Sequence, residues 1–525
     1  MNENSKTFEQ VATEVWTGLM QLFWGLIRVL RELYAQLSRR SGPPASRPSA
    51  SRGDPFDLNF PLLMLTPQDA FTIGHAVEGV HITGANGGGK SSGPGQALIK
   101  AYMLAKMGML ILTAKPGEYE TIRRYAEETG CLKRLIRFAP EEPWRFNFLA
   151  YLQKLPSRGA GLAANIVATL ITMQEAMDKG NKGGHREQYW LDTLKELLMS
   201  AVDLCLLARP QENLSVERLH DVISSAPTSA AQVDDEVWQA TSLDYQLVEE
   251  ALNREALTDR QRSDLKITGK YWLSQFPQLA SETRSSIVST FTSMADGFLR
   301  GSIADLFGTG LNVTPEFTLD GYIIVVDLPV KLFGPVGVAA QTLWKFCWQD
   351  AVERRDVSKN PRPVALIADE AHLFVNEHDV SFATTARSSK ACMLYLTQTL
   401  ANYTHALGGE QKAKALTASL LDVLQTKFFC ANASHETNTW ASDIIGKVWT
   451  HKQNAGVNRG DTGTRSTNSG STESLEYAVD PAVFQTLRRG GESSGYIVEA
   501  VCHGGGKVFK ASGKNYVLTA FDQKA

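Results

Sequence analysis

Gly84-Ala85-Asn86-Gly87-Gly88-Gly89-Lys90-Ser91-Ser92 fits the phosphate-loop spacing G-x-x-x-x-G-K-[ST], with Gly89, Lys90 and Ser91 in the defining places. The residue types explain the chemistry. A polyphosphate needs several main-chain N–H groups aimed at it, and residues without a Cβ let the chain curl that closely. Lys90 then reaches the β- and γ-phosphates, and the Ser91 hydroxyl takes a place on Mg²⁺. Context supports the pattern: Val80-His81-Ile82-Thr83 reads as a strand before the loop, and Gln96 to Met107 as a helix after it. Nucleotide binding by residues 84–92 is the expectation.

Hydrolysis asks for more than a cradle. Asp369 ends the apolar run Val364-Ala365-Leu366-Ile367-Ala368, where its carboxylate can serve Mg²⁺ opposite Ser91. Glu370 follows at the place of a base that polarises the attacking water. Gln398 ends the next strand, Cys392 to Gln398, where an amide can donate to the γ-phosphate and accept from water. Arg387 precedes that strand. Its planar fork suits the charge of a transferring phosphoryl group, as an arginine finger supplied across a subunit boundary. Arg459 and Arg465 are weaker candidates for that task.

The elements that must position these residues alternate. Further strands are expected at Met109 to Thr113, Leu135 to Phe138, Tyr322 to Asp327, Lys427 to Cys430 and Gly495 to Ala500. Strands alternating with helices mean a mostly parallel α/β sheet with helices on both faces. Between about Arg158 and Ala295 strand signals vanish. There Leu191, Leu194, Leu198, Val202 and Cys205 recur at helical spacing. The expected division is a nucleotide-binding domain in two parts, 55–184 and 291–525, interrupted by an all-α insertion at 185–290. A Gly/Ser/Thr/Asn-rich stretch at 450–475 reads as a mobile loop.

The N-terminus differs in texture. Val15 to Ile27 carries no charge, but 13 residues fall short of a span, which takes about 20. Leu19, Leu22, Leu26, Val29 and Leu33 define an amphipathic helix within 1–37, suited to a membrane interface or to a partner protein. Residues 38–54, rich in proline, serine and arginine, read as a flexible tether.

Composition excludes several classes. Of 525 residues, 43% are hydrophobic and 21% charged, ordinary for a globular chain of more than one domain. A formal net charge of −3 argues neither for nor against nucleic acid, because a channel can be locally basic on a neutral protein. Cys131, Cys205, Cys347, Cys392, Cys430 and Cys502 are scattered without a C-x-x-C pair, which excludes a disulfide or zinc framework. His372 and His378 have no metal-ligand spacing, and no 20–50-residue period repeats.

With these residues in place, the chain resembles the TraG/TraD-type coupling proteins of conjugative and type IV secretion systems, within the FtsK/HerA class of RecA-like ring ATPases. The resemblance runs from about Leu62 to Phe521. It rests on the phosphate loop with its Gly93-Pro94 sequel, Lys115-Pro116-Gly117-Glu118 (similar to the family's Lys-Gly-Glu turn) and Phe146-Asn147-Phe148-Leu149. The helical insertion, Asp369-Glu370, Arg387, the Gln398 strand and Arg488-Arg489-Gly490-Gly491 follow in family order. It implies a homo-hexamer that hydrolyses ATP with Mg²⁺ and drives single-stranded or duplex DNA from a relaxosome toward a secretion pore. Family members usually carry two spanning helices at the N-terminus. This chain has one short amphipathic stretch, so a cytoplasmic protein, with a peripheral place at the inner membrane through residues 1–37, is expected. A nucleotide-switched receptor for protein cargo and a related ring motor with another task are the alternatives.

Overall fold

The computed structural model describes residue 20 and residues 42–48, 54–155, 162–177, 184–408, 411–459 and 465–525. The amphipathic helix expected within 1–37 therefore lies outside the described residues, Met20 excepted. β1 (Pro61–Thr66) and β2 (Asp69–Thr72) form a small hairpin. β3 (Val80–Thr83), β4 (Gly108–Leu112) and β5 (Leu135–Phe138) come next; β6 (Ile323–Val326), β7 (Val364–Ala368), β8 (Ala391–Thr397) and β9 (Thr426–Phe429) follow a long helical stretch. β10 (Lys447–Arg459) and β11 (Arg465–Tyr477) make a two-stranded ribbon, and β12 (Ile497–Gly504) and β13 (Tyr516–Asp522) come last.

The main sheet has nine strands in the order β13-β12-β9-β3-β8-β7-β4-β6-β5. From β9 to β5 every pairing is parallel, whereas β12 runs antiparallel to both β9 and β13. A strand buried on both faces sends alternate side chains into two cores. Leu110, Leu366 and Met393 join the core shared with the helical stretch. Their neighbours Met109, Ile111, Ile367 and Leu394 join the core beneath the phosphate-loop helix Gln96–Leu104. The fold is α/β with a mostly parallel sheet.

From Phe148 to Phe307 the named elements of the described residues are all helices. Helix Gly184–Ala208 buries Leu194, Leu198, Val202 and Cys205, four positions on one face. The polar part after it breaks into short helices because caps recur. Ser215 Oγ accepts from Arg218 N, Ser242 Oγ from Tyr245 N and Thr258 Oγ1 from Gln261 N. Each cap satisfies a donor the first turn would otherwise leave open.

Two expectations are corrected. Within the stretch 450–475 expected as a mobile loop, residues 450–459 and 465–475 are strand: they lie in the β10–β11 ribbon, whose register runs from Lys447↔Tyr477 to Arg459↔Arg465. Its glycine, serine and asparagine content hid the pairing, but the segment contains no proline, and polar partners face across it, as in His451–Glu473 at 3.3 Å. The tether is also not free throughout. Ser46 exchanges main-chain hydrogen bonds with Met64 at 3.0 and 2.8 Å, and Ala45 N donates to Ala520 O at 2.7 Å. An extended segment offers an edge strand the main-chain partners it lacks. All six cysteines are buried and free of disulfides. Among the described residues no helix is long and apolar enough to cross a membrane.

Candidate nucleotide site

Parallel strands end together, so whatever follows them in sequence gathers at one edge of the sheet. β3 leads into Gly84, β4 into Lys115, β7 into Asp369 and β8 into Gln398. The phosphate loop is pinned to its neighbours by main-chain bonds: Gly84 N donates to Thr397 O at 3.3 Å and Ala85 N to Ala431 O at 2.9 Å. Two glycines are required by geometry. A Cβ on Gly88 would stand 2.5 Å from Ala431 O, and Gly89, at φ +87°, would drive one into Val498 at 2.6 Å. Asn86 and Gly87 are exposed at the loop's tip. Past Ser91 the helix opens with one π turn, Gly95 N bonding to Lys90 O, before the regular α-helix begins at Gln96.

The acids meet the loop directly. Ser91 Oγ donates to Asp369 Oδ2 at 2.6 Å. Lys90, 5% exposed, holds its ammonium 3.5 Å from Glu370 Oε1 and 3.8 Å from Asp369 Oδ1. Gln398 Nε2 donates to the same Glu370 Oε1 at 2.9 Å, and Lys115 Nζ donates to it at 3.0 Å. Thus Lys90, Ser91, Asp369, Glu370 and Gln398 are brought together. Lys115 joins them, a residue that the sequence marks only as part of a family turn. Its position just after β4, the neighbour of β7, was the signal available.

Glu370 takes the left-handed conformation at φ 56°, ψ 46°, which costs a non-glycine residue roughly 1–2 kcal/mol. A buried network holds the loop that follows. Lys345 Nζ donates to Phe374 O at 2.6 Å and pairs with Asp379, whose Oδ1 also accepts from Gln349 Nε2 at 2.9 Å and Tyr395 Oη at 3.0 Å. Buried polar networks of this kind favour one backbone arrangement.

The charges set the protonation states. Burial alone would raise the Glu370 carboxyl, but the Gln398 amide and the Lys90 and Lys115 ammoniums outweigh it and hold it at about 2. Burial opposes the charge of Lys115, yet Glu370 and Asp369 nearby keep its ammonium above the ordinary lysine range. Glu118 goes the other way: burial and the Asp369 charge push it up to about 7, against the pull of the Ala114 N–H at 2.8 Å.

Arg387 does not join this cluster. It sits before β8, paired at 3.7 Å with Glu78, which lies just before β3. Since β3 and β8 are parallel, both residues belong to the opposite edge of the sheet from the phosphate loop. Its side chain is 67% exposed. The side chains of Arg459 and Arg465 lie outside the described residues.

Residues 363–483 match a family model described as the TraM recognition site of TraD and TraG. A sequence search of curated proteins finds no match. Among solved structures, the chain is similar to the bacterial conjugative coupling protein TrwB in its unbound form, at a TM-score of 0.57 and 13% identity, over 87% of each chain. TrwB with ADP and Mg²⁺ gives 0.55 and 13% identity over 87% of each chain. TrwB with the ATP analogue ADPNP gives 0.56 and 12% identity, over 87% of this chain and 88% of that one. The chain is thus similar in sequence over residues 363–483 to the TraD and TraG family model, and similar in fold over most of its length to the conjugative coupling protein TrwB.

Proposed function

We propose that this protein is an ATP-hydrolysing motor that brings DNA to a type IV secretion or conjugation apparatus. The observation that carries the reading is the convergence of Lys90, Ser91, Asp369, Glu370 and Gln398 at one edge of a coupling-protein fold. The polyphosphate of ATP, the substrate, is cradled by the N–H groups of Gly84 to Ser92 and met by the Lys90 ammonium. Ser91 Oγ and Asp369 Oδ2, 2.6 Å apart, are the hard oxygen donors Mg²⁺ takes when water and phosphate complete its shell, so these two would hold the ion. When bound, Mg²⁺ would supply charge neutralisation at the phosphates. Glu370, held near 2, stays a carboxylate at neutral pH. It serves by accepting from the attacking water and orienting it, a weaker base than a group near neutrality. Gln398 links that carboxylate to β8, and Lys115 is a second cation for the phosphates.

Arg387, at the far edge of its own sheet, is assigned to the site of a neighbouring copy, which asks for a ring; a homo-hexamer suits the assignment. Residues 185–290 are read as the inserted domain that faces the relaxosome, and residues 1–37 as a peripheral attachment to membrane or partner. A second reading, a receptor for protein cargo, draws support from the match at 363–483, described as a recognition site for TraM.

Steady-state ATP hydrolysis by the full chain, with no nucleic acid, single-stranded DNA or duplex DNA, tests the proposal against Lys90→Ala as blank. Stimulation by DNA that fades with added salt is expected. Slow, DNA-indifferent turnover moves the reading to the protein-cargo receptor, and turnover by Lys90→Ala removes the ATPase site.

A further inference from the structure

Ser92, the last residue of the phosphate loop, faces away from the acids. Lys90 and Ser91 turn toward Asp369 and Glu370 behind β7, whereas Ser92 Oγ accepts a hydrogen bond at 2.6 Å from Nε2 of Gln523, just beyond β13. β7 and β13 lie on opposite sides of β3 in the sheet. On the nucleotide reading, a γ-phosphate at Glu370 leaves the side of the loop facing Ser92 and Gln523 for the α-phosphate and ribose.

The Gln523 carboxamide is clamped in one orientation. The main-chain N–H of Gly491 donates to Oε1 at 2.7 Å, and a main-chain N–H can only donate, so the oxygen faces Gly491 and the NH₂ faces Ser92. Gly490 closes over it at φ +86°; a Cβ there would stand 2.5 Å from Cδ, Nε2 and Oε1 of the same side chain. The segment behind is tied down as well. Gln523 N donates to Tyr496 O at 2.9 Å, Gln96 Nε2 donates to Gln523 O at 3.2 Å, and Lys100 Nζ donates to Ala525 O at 2.6 Å. Ser92, Gln96 and Lys100 recur every four residues, so one face of the phosphate-loop helix is given to residues 523–525.

This arrangement has a consequence for Ser92. A hydroxyl that accepts from an amide NH₂ keeps its own proton to donate elsewhere. We propose that Gln523 is a positioning residue for the nucleotide: it fixes the Ser92 hydroxyl as a donor aimed at the α-phosphate. The inference rests on the nucleotide reading of the phosphate loop and adds the side on which the nucleoside lies. It also gives the Gly490-Gly491 turn a task, holding the carboxamide that orients Ser92.

The test uses the full chain and ATP carrying sulfur in place of one α-phosphate oxygen, as the separate Rp and Sp isomers. Sulfur is a poor acceptor, so the wild-type protein should turn over one isomer at least about fivefold better than the other. Gln523→Met keeps the length of the side chain and its packing under Gly490 but cannot donate to Ser92. It should raise KM for ATP about tenfold, leave kcat within threefold, and bring the isomer ratio close to one. Gln523→Ala should do the same. A wild-type protein indifferent to the isomers, or variants that keep the wild-type ratio, would overturn the proposal while leaving the ATPase reading intact. A variant that loses kcat and KM together with an unchanged ratio marks Gln523 as a fold staple only, which also overturns it. Absence of ATP turnover in the wild-type protein would remove both readings.

Discussion

Glu370→Gln keeps the shape of the side chain and deletes the one charge on which Lys90, Lys115 and Gln398 converge. Lys90 Nζ stands 3.5 Å from the lost oxygen and Lys115 Nζ 3.0 Å. At an effective dielectric of 20 each attraction is about 5 kcal/mol before desolvation is subtracted. The Lys115 side chain is 36% exposed, so solvent screens most of its share. Lys90 is buried, and stripping a partner from a buried ion costs about 3–5 kcal/mol; Asp369 Oδ1, 3.8 Å away, remains beside it, which favours the lower end. About 3 kcal/mol of lost stability in the nucleotide-free protein is therefore expected, a drop of a few degrees in the unfolding midpoint. The phosphates of ATP are anions that replace the missing carboxylate. Binding to the variant recovers much of the deficit, and 3 kcal/mol corresponds to affinity tighter by up to about 100-fold. Thermal unfolding of both proteins should be followed with and without saturating MgATP, beside a hydrolysis assay. The expected pattern is a lower midpoint without nucleotide, a larger upward shift on binding than in the wild-type protein, and no turnover. An equal or smaller shift in the variant would refute the competition between Glu370 and phosphate for Lys90. Retained turnover would refute the role of Glu370 itself.

Two further perturbations probe other parts of the molecule. Arg387→Ala should leave folding almost untouched, because its pairing with Glu78 is exposed and long at 3.7 Å, yet lower kcat at least about 100-fold at unchanged ATP affinity if the side chain serves a neighbour's site; unchanged kcat in the assembled ring would end that assignment. Asp244 is fully buried in the helical stretch, neither carboxyl oxygen has a hydrogen-bond partner among the described residues, and burial raises it to about 8. Its folded pKa lies above the unfolded value, so its contribution to stability is complete below about pH 4 and drains away, at about 1.4 kcal/mol per pH unit, until pH passes 8. Asp244→Asn should flatten that slope in denaturant titrations run at pH 5, 6, 7 and 8, and parallel slopes for the two proteins would show that Asp244 is not the group responsible.

The central strands were legible because burial on both faces leaves an apolar run that few other elements produce. Ile323–Val326, Val364–Ala368 and Ala391–Thr397 each stand within a residue or two of where their hydrophobic runs place them. The acid pair was legible for the same reason: Asp369 and Glu370 interrupt such a run abruptly. What composition concealed was structure held by main-chain bonds. The β10–β11 ribbon carries no apolar alternation over most of its length, and its pairing depends on register that side-chain patterns do not encode. Lys115 was missed as a site residue because its partner is 255 positions away in sequence and adjacent only through the β4–β7 pairing. Gln523 is more remote still, 431 positions from Ser92.

The strand order supplies the last step. β3 lies between the β8–β7 flank, which brings Gln398, Asp369 and Glu370, and the β9–β12–β13 flank, which brings Ala431, Val498 and Gln523. On the proposed nucleotide reading, the first flank presents charges to the phosphate end; from the second, Ala431 presents a main-chain oxygen, Val498 an apolar side chain and Gln523 an amide. A strongly charged second flank would compete for Lys90 and Ser91, as Glu370 already does. On the proposed nucleotide reading, this difference between the flanks lets the phosphate loop hold the nucleotide from one side and meet its charge from the other. Arg387 belongs to neither flank of its own chain, since it leaves the sheet at the edge where β3 and β8 begin. Under the proposed assignment to a neighbouring copy, Arg387 adds its charge there to that of Lys90 and Lys115, and turnover then depends on assembly, the dependence that the Arg387→Ala measurement reads.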